Sequence, residues 1–223
     1  MFTKWLPAAI VITGLAYIFV IPEEPLLLKI SCKVIPMILI LLYASKTGAK
    51  GKRYPFLILL GLFFCMLGDG LLIWFLIGLS AFLIGHLFYI AAFLKSWNFS
   101  WRRFATILPI AIYSTIIGRE IIRSLIETGE NGLIIPVIGY VTVISLMGWT
   151  AIMTRNNAAI IGGILFVISD SILAWNKFID VIAFSGPLIM LTYYAAQFFI
   201  AASIRSSPSF SLANALKDET PIR

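Results

Sequence analysis

The chain has 223 residues, of which 61% are hydrophobic and only 12% charged, with a mean hydropathy of +1.00. Soluble domains run at about 45–50% apolar and about 25% charged, so this composition excludes a soluble globular protein. The net charge of +7 does not indicate nucleic acid, because the basic residues sit between apolar runs and form no continuous patch, as the loops of a membrane protein require.

Apolar runs near the ~20 residues needed to cross a bilayer recur from end to end. They predict an all-α polytopic membrane protein with eight transmembrane helices, near 5–21, 26–44, 55–74, 77–94, 103–119, 133–153, 157–175 and 181–203. The first run follows Met1 and Lys4 in the manner of a signal peptide, with a weak cleavage-like Gly14-Leu15-Ala16, and is read as a retained span. Phe56 to Leu94 is too long for one span, and a tight break near Phe75–Gly78 divides it. Residues 1–204 thus form one membrane domain. Residues 205–223, with Ser, Pro and mixed charge, read as a short soluble tail.

Loop charges orient the spans. Lys4, Lys46, Lys50, Lys52, Arg53, Lys95, Arg102, Arg103, Arg155, Arg205, Lys217 and Arg223 share one side, against Arg119, Arg123 and Lys177 on the other. The positive-inside rule then places both termini in the cytoplasm. Glu23, Glu24, Glu120, Glu127, Glu130 and Asp180 fall outside. Cys32 and Cys65 lie in apolar runs as packing residues and form no metal-binding or disulfide pattern.

Two segments match. Leu67-Gly68-Asp69-Gly70-Leu71-Leu72-Ile73-Trp74 and Ile168-Ser169-Asp170-Ser171-Ile172-Leu173-Ala174-Trp175 each set Asp between small residues, then an apolar triplet, then Trp. Tyr89-Ile90-Ala91-Ala92-Phe93 echoes Tyr193-Tyr194-Ala195-Ala196-Gln197 in the following spans. The pattern suggests two parallel four-helix halves. Small residues allow close helix approach, which turns the Asp-bearing faces toward protein. At ~1.5 Å rise per residue each Asp lies about 8 Å inside its interfacial Trp, and Lys29 and Lys33 lie about 6 and 12 Å inside Pro25. Two acids and two bases therefore occupy one layer in the outer half of the membrane, with His86, the only histidine, nearer the middle.

A charge at mid-membrane costs about 2.5–3.5 kcal/mol on insertion scales, so such groups face partners or a watery cavity. Structural ion pairing and acid–base chemistry both fit this layer, and Tyr193, Tyr194 and Gln197 form a polar stripe that serves packing or a site. Phosphate loops, a nucleophile elbow and zinc motifs are missing, and one histidine suits a zinc site poorly. Paired carboxylates with nearby lysines remain, a kit for proton transfer.

The residues resemble the YhhN-like lysoplasmalogenase family of eight-span membrane proteins. The resemblance rests on Lys33 with Pro36; Gly68-Asp69 before Leu71-Leu72; Gly78-Leu79 through Phe82 and Gly85-His86-Leu87 with Tyr89; Tyr140 with Met147; Gly163 and Phe166 before Ser169-Asp170; Asn176-Lys177-Phe178; and Thr192-Tyr193-Tyr194 with Ala196-Gln197. These pieces cover spans two to four and six to eight. Val34 and Ile35 separate Lys33 from Pro36, where the family sets Lys directly before Pro. The resemblance implies a hydrolase that cleaves the vinyl ether bond of lysoplasmalogens to a fatty aldehyde and a glycerophospho-base, with no organic cofactor and no metal. Its expected catalytic pair is Asp69 and Asp170, supported by Lys29, Lys33, His86, Asn176, Tyr193, Tyr194 and Gln197. Expected partners are the lysophospholipid and the bilayer, not nucleic acid. A membrane transporter or lipid-binding protein with a buried charged site is the alternative that the same charges support.

Overall fold

The computed structural model describes residues 4–22, 24–47 and 52–205. Lys50, Glu23 and the expected tail beyond Arg205, with Lys217 and Arg223, lie outside the described residues. The described chain is helical: α1 (Leu6–Phe19), α2 (Leu26–Thr47), α3 (Arg53–Leu71), α4 (Phe75–Lys95), α5 (Trp101–Phe104), α6 (Ile107–Glu127), α7 (Ile134–Met153), α8 (Asn157–Phe178) and α9 (Ser185–Ala202). Seven of these segments are long and apolar enough to cross a membrane, with α5 and α6 together forming one of them. The protein is a multi-pass integral membrane protein. The eighth apolar helix, α1, has 14 residues, or about 21 Å, against a hydrocarbon core of about 30 Å.

The helices stand where apolar length places them, and the differences have local causes. The break after α3 falls at Leu72–Trp74, a few residues before the expected Phe75–Gly78. A Cβ on Gly78 would stand 2.7 Å from the Leu72 Cα, so this glycine lets the first turn of α4 close back onto the end of α3. The fifth span, expected to end at 119, continues to Glu127. Its last turns carry Arg123 and Glu127, ion-paired at 2.9 Å on the exposed side. Ile121 and Leu125 on the other side bury against Val137. An amphipathic end of this kind continues the helix after the apolar run has stopped. Asn156 caps α8, its side chain accepting from the Ala158 and Ala159 amides and donating to the Ser203 carbonyl at 2.8 Å.

The α3–α4 and α8–α9 hairpins are the most closely packed pairs. Gly61 and Gly162 set their separations: a Cβ would lie 2.3 Å from the Tyr89 ring at the first and 2.7 Å from the Ile200 side chain at the second. Such small residues take the place of a hydrophobic driving force between helices in lipid. The sequence offset that carries Asp69 onto Asp170 also carries Gly61 onto Gly162. Around these hairpins α2 packs on α3 and α9, α1 on α2 and α9, and α7 on α4 and α8. α6 lies at the periphery with Leu108, Ile112 and Ile116 facing outward.

Candidate active site

The ends of α1, α2, α3, α4, α7, α8 and α9 that meet on one side of the bundle enclose a cavity of about 260 Å³. Lys29, Lys33, Asp69 and Asp170 all line it. The layer of two acids and two bases is therefore a single polar chamber, walled otherwise by Leu72, Phe82, Leu173 and Met190.

Asp69 arrives from the last turns of α3 and is 4% exposed. Lys33 of α2 approaches it, with Nζ 3.1 Å from Oδ1. The Tyr193 hydroxyl of α9 donates to Oδ2 at 2.6 Å. Both carboxylate oxygens thus have partners, and one partner is a cation, the arrangement that makes charge-assisted bonds short and strong. Tyr194, the next residue, points the other way and donates to the Lys33 carbonyl at 2.8 Å, which ties α9 to the helix that carries the lysine.

Asp170 arrives from α8 on another wall. Its Oδ2 accepts a hydrogen bond from the Tyr140 hydroxyl of α7. Among the described residues no cation pairs with it. Ser169 beside it is buried, lines the same cavity, and donates to the Ile189 carbonyl at 3.0 Å, fixing α8 on α9. Lys29 stands nearer the end of α2, with Nζ 4.9 Å from the centre of the Tyr17 ring, within cation–π range.

The other expected site residues lie elsewhere. His86 is fully buried and outside the cavity lining, held edge-on by Phe166 at 4.6 Å and Tyr140 at 5.5 Å between ring centroids. Neither of its ring nitrogens has a hydrogen-bond partner among the described residues; the Phe82 carbonyl one turn earlier lies near without bonding geometry. Gln197 is also fully buried, and its Oε1 accepts from the Tyr89 hydroxyl at 2.6 Å. Asn176 closes the α8–α9 connection by accepting the Ile182 amide at 3.0 Å.

Two of the tyrosines that line the cavity were absent from the expected set. Tyr140 stood only among the residues of the family resemblance, and Tyr17 is an ordinary aromatic in an apolar run. Tyr140 reaches the site because α7 leans on both α4 and α8. The described residues hold no group of three or more metal-ligating His, Cys, Asp or Glu side chains. What the chamber offers is an ion-paired carboxylate, a second carboxyl bonded to a phenol, and lysines that suit an anionic group.

A family model described as the YhhN family matches residues 28–204. The chain is 29% identical over 210 residues to a Rattus norvegicus protein named Lysoplasmalogenase TMEM86B, covering 92% of this chain and 85% of the rat protein. It is likewise 29% identical over 213 residues to the Mus musculus protein of that name, covering 92% and 88%. It is 32% identical over 165 residues to the Homo sapiens Lysoplasmalogenase TMEM86A, covering 66% and 64%. No solved structure matches.

Proposed function

The chain belongs to the YhhN family, and on that premise we propose that it is a lysoplasmalogenase whose active site is the charged chamber. The observation that carries the reading is the presence of two carboxyl groups with unlike partners on the walls of one cavity. The names of the rat, mouse and human relatives support the substrate class.

Vinyl ether hydrolysis begins with proton transfer to the β-carbon. It therefore needs one neutral acid and one charged group that tolerates the resulting cation. Asp170, paired with a phenol and with no cation, is the acid. The double-bond electrons take its proton to form the new C–H bond, while an ether-oxygen lone pair shifts onto the adjoining carbon, giving an oxocarbenium ion. Asp69, held ionised by Lys33, stabilises that ion, much as carboxylates do in glycoside hydrolysis. Water adds to the cationic carbon and returns a proton to a carboxylate. The hemiacetal then collapses to the fatty aldehyde and the glycerophospho-base, consuming one water in all. Lys29 and Lys33 favour the phosphate end of the lipid.

Lys46, Lys52, Arg53, Lys95, Arg102, Arg103 and Arg155 belong to helix ends and connections on the side of the bundle opposite the chamber. With those residues cytoplasmic, both termini are cytoplasmic and the chamber opens toward the outer leaflet.

Purified protein in detergent is expected to release aldehyde and glycerophosphoethanolamine from a lysoplasmenylethanolamine. In heavy water the aldehyde gains one deuterium on the carbon next to its carbonyl. Asp69→Asn and Asp170→Asn should each lose turnover by at least about a hundredfold, the scale of general acid–base catalysis, with unchanged elution on size exclusion. Turnover that survives in either folded variant would remove the paired-carboxyl mechanism. A wild-type protein that releases no aldehyde would remove the hydrolase reading.

A further inference from the structure

We propose that the apolar groove between α1 and α9 is the binding channel for the substrate's alkenyl chain, an inference that rests on the hydrolase reading of the adjoining chamber. The groove encloses about 310 Å³ and is bounded by Pro7, Ile10, Gly14 and Ile18 of α1 and by Tyr194 and Phe198 of α9. Ile18 lines both the groove and the charged chamber. Tyr193 faces the chamber while its neighbour Tyr194 forms the groove wall. Tyr17 of the chamber wall and Tyr194 of the groove wall meet edge to face at 6.1 Å. The shared Ile18 marks where the chain of a ligand in the chamber would pass into the groove.

The chemistry of the proposed reaction demands such an exit. The scissile bond carries a long aliphatic chain on its β-carbon, so the chain must leave the carboxyl groups along an apolar path. From Ile18 to Pro7 the groove follows α1 for about 16 Å. That is about half of the ~30 Å hydrocarbon thickness, the depth which the chains of one leaflet fill. The groove runs along the helices, parallel to the chains of neighbouring lipids, and begins at the depth of the carboxyl groups.

Two other spaces meet these demands less well. The groove between α6 and α7 carries Ser114, Thr115, Arg119, Thr142 and Ser145 and shares no lining residue with the chamber. A slot beside Asp170 and Tyr140 does adjoin the chamber, but at about 40 Å³ it holds only a few waters.

Gly14 controls the width. It is buried, and a Cβ there would make ordinary contact with the Tyr194 ring at 3.4 Å. A longer side chain must extend into the channel. Val11 lies on the exposed rim of the same groove, where a bulky residue disturbs no packing. The experiment compares kcat/KM for lysoplasmalogens with eight-carbon and sixteen-carbon alkenyl chains, lengths chosen at roughly half and full channel occupancy. Gly14→Leu and Val11→Trp should lower the sixteen-carbon value at least about tenfold relative to the eight-carbon one, since two methylenes excluded from apolar contact suffice for that ratio. Ile12→Trp, on the outward face beyond the groove, should leave the ratio unchanged.

A diazirine at the chain end gives a second readout that needs no turnover. Irradiation should label residues of 7–15 or 191–199. An unchanged chain-length ratio in both Gly14→Leu and Val11→Trp overturns the channel while leaving the hydrolase intact. So does labelling of α6 and α7, or labelling that ordinary diacyl phospholipid suppresses equally well, which would mark the groove as a site for bulk lipid. Absence of aldehyde from every chain length, with labelling still at α1 and α9, strikes the hydrolase reading and keeps the groove as a chain-binding site.

Discussion

The α3–α4 and α8–α9 hairpins each deliver one aspartate to the chamber, and in each case the helix before the hairpin supplies a partner. For Asp69 that helix is α2, and the partner is the Lys33 ammonium at 3.1 Å. For Asp170 it is α7, and the partner is the Tyr140 hydroxyl. Asp69 gains a further bond from Tyr193 of α9. One carboxyl is therefore compensated by charge and the other only by a dipole. A near-duplicate of local sequence thus stands in two unlike settings because the preceding helices supply unlike partners. Asymmetry of this kind is what acid–base catalysis by two carboxyls requires, since one must hold a proton while the other holds a charge.

Removing the cation is the most severe way to break the comparison. Lys33→Met leaves Asp69 buried beside Tyr193 without its ion-pair partner. Stranding one member of a buried pair costs about 3–5 kcal/mol, and the melting temperature in detergent should fall accordingly. Adding Asp69→Asn to the same chain should recover much of the loss, because the uncompensated charge goes with it. If Lys33→Met melted no lower than Tyr140→Phe, the ion pair would not distinguish the two sides.

The phenols test the same contrast more gently. Tyr193→Phe removes a bond to a carboxylate that is ion-paired, and bonds to charged groups contribute about 1.5–3 kcal/mol. Tyr140→Phe removes one from the carboxyl proposed to be neutral, for which about 0.5–1.5 kcal/mol is the range. The expected order of melting temperatures is therefore Tyr193→Phe below Tyr140→Phe. The reverse order would exchange the protonation states assigned to the two aspartates.

The helices were legible because an apolar run of bilayer length needs no tertiary partner to declare itself. The α3–α4 break was harder to place, since Phe56 to Leu94 changes little in composition, and the deciding contact between Gly78 and Leu72 exists only after the chain folds. The charges of the chamber were legible for an energetic reason: Lys33, Asp69 and Asp170 are costly in hydrocarbon unless they converge on partners or water. Direction was not legible. His86 and Gln197 are as visibly polar as the chamber residues, yet both are buried away from it. Tyr140 carries no sequence signal of cost, because phenols are ordinary in apolar helices.

The small residues around each aspartate sharpen the comparison at its finest scale. Gly68 and Gly70 flank Asp69, and the sequence alone gives both the same purpose of close helix approach. In the structure a Cβ on Gly68 would meet the Phe82 ring of α4 at 2.7 Å, whereas one on Gly70 would meet nothing within 4 Å. The α8 counterparts divide in the same way. Ser169 bonds across to α9 at Ile189, while Ser171 bonds back along its own helix to Val167. Only the residue on the N-terminal side of each aspartate fastens the hairpin. Gly68→Ala should thus destabilise by about 1–3 kcal/mol through overpacking. Gly70→Ala should be neutral or stabilise by up to about 1 kcal/mol, the gain in helix propensity, and retain turnover. Equal destabilisation by the two variants would place both faces of this turn against protein, and the aspartate could then no longer face an open chamber.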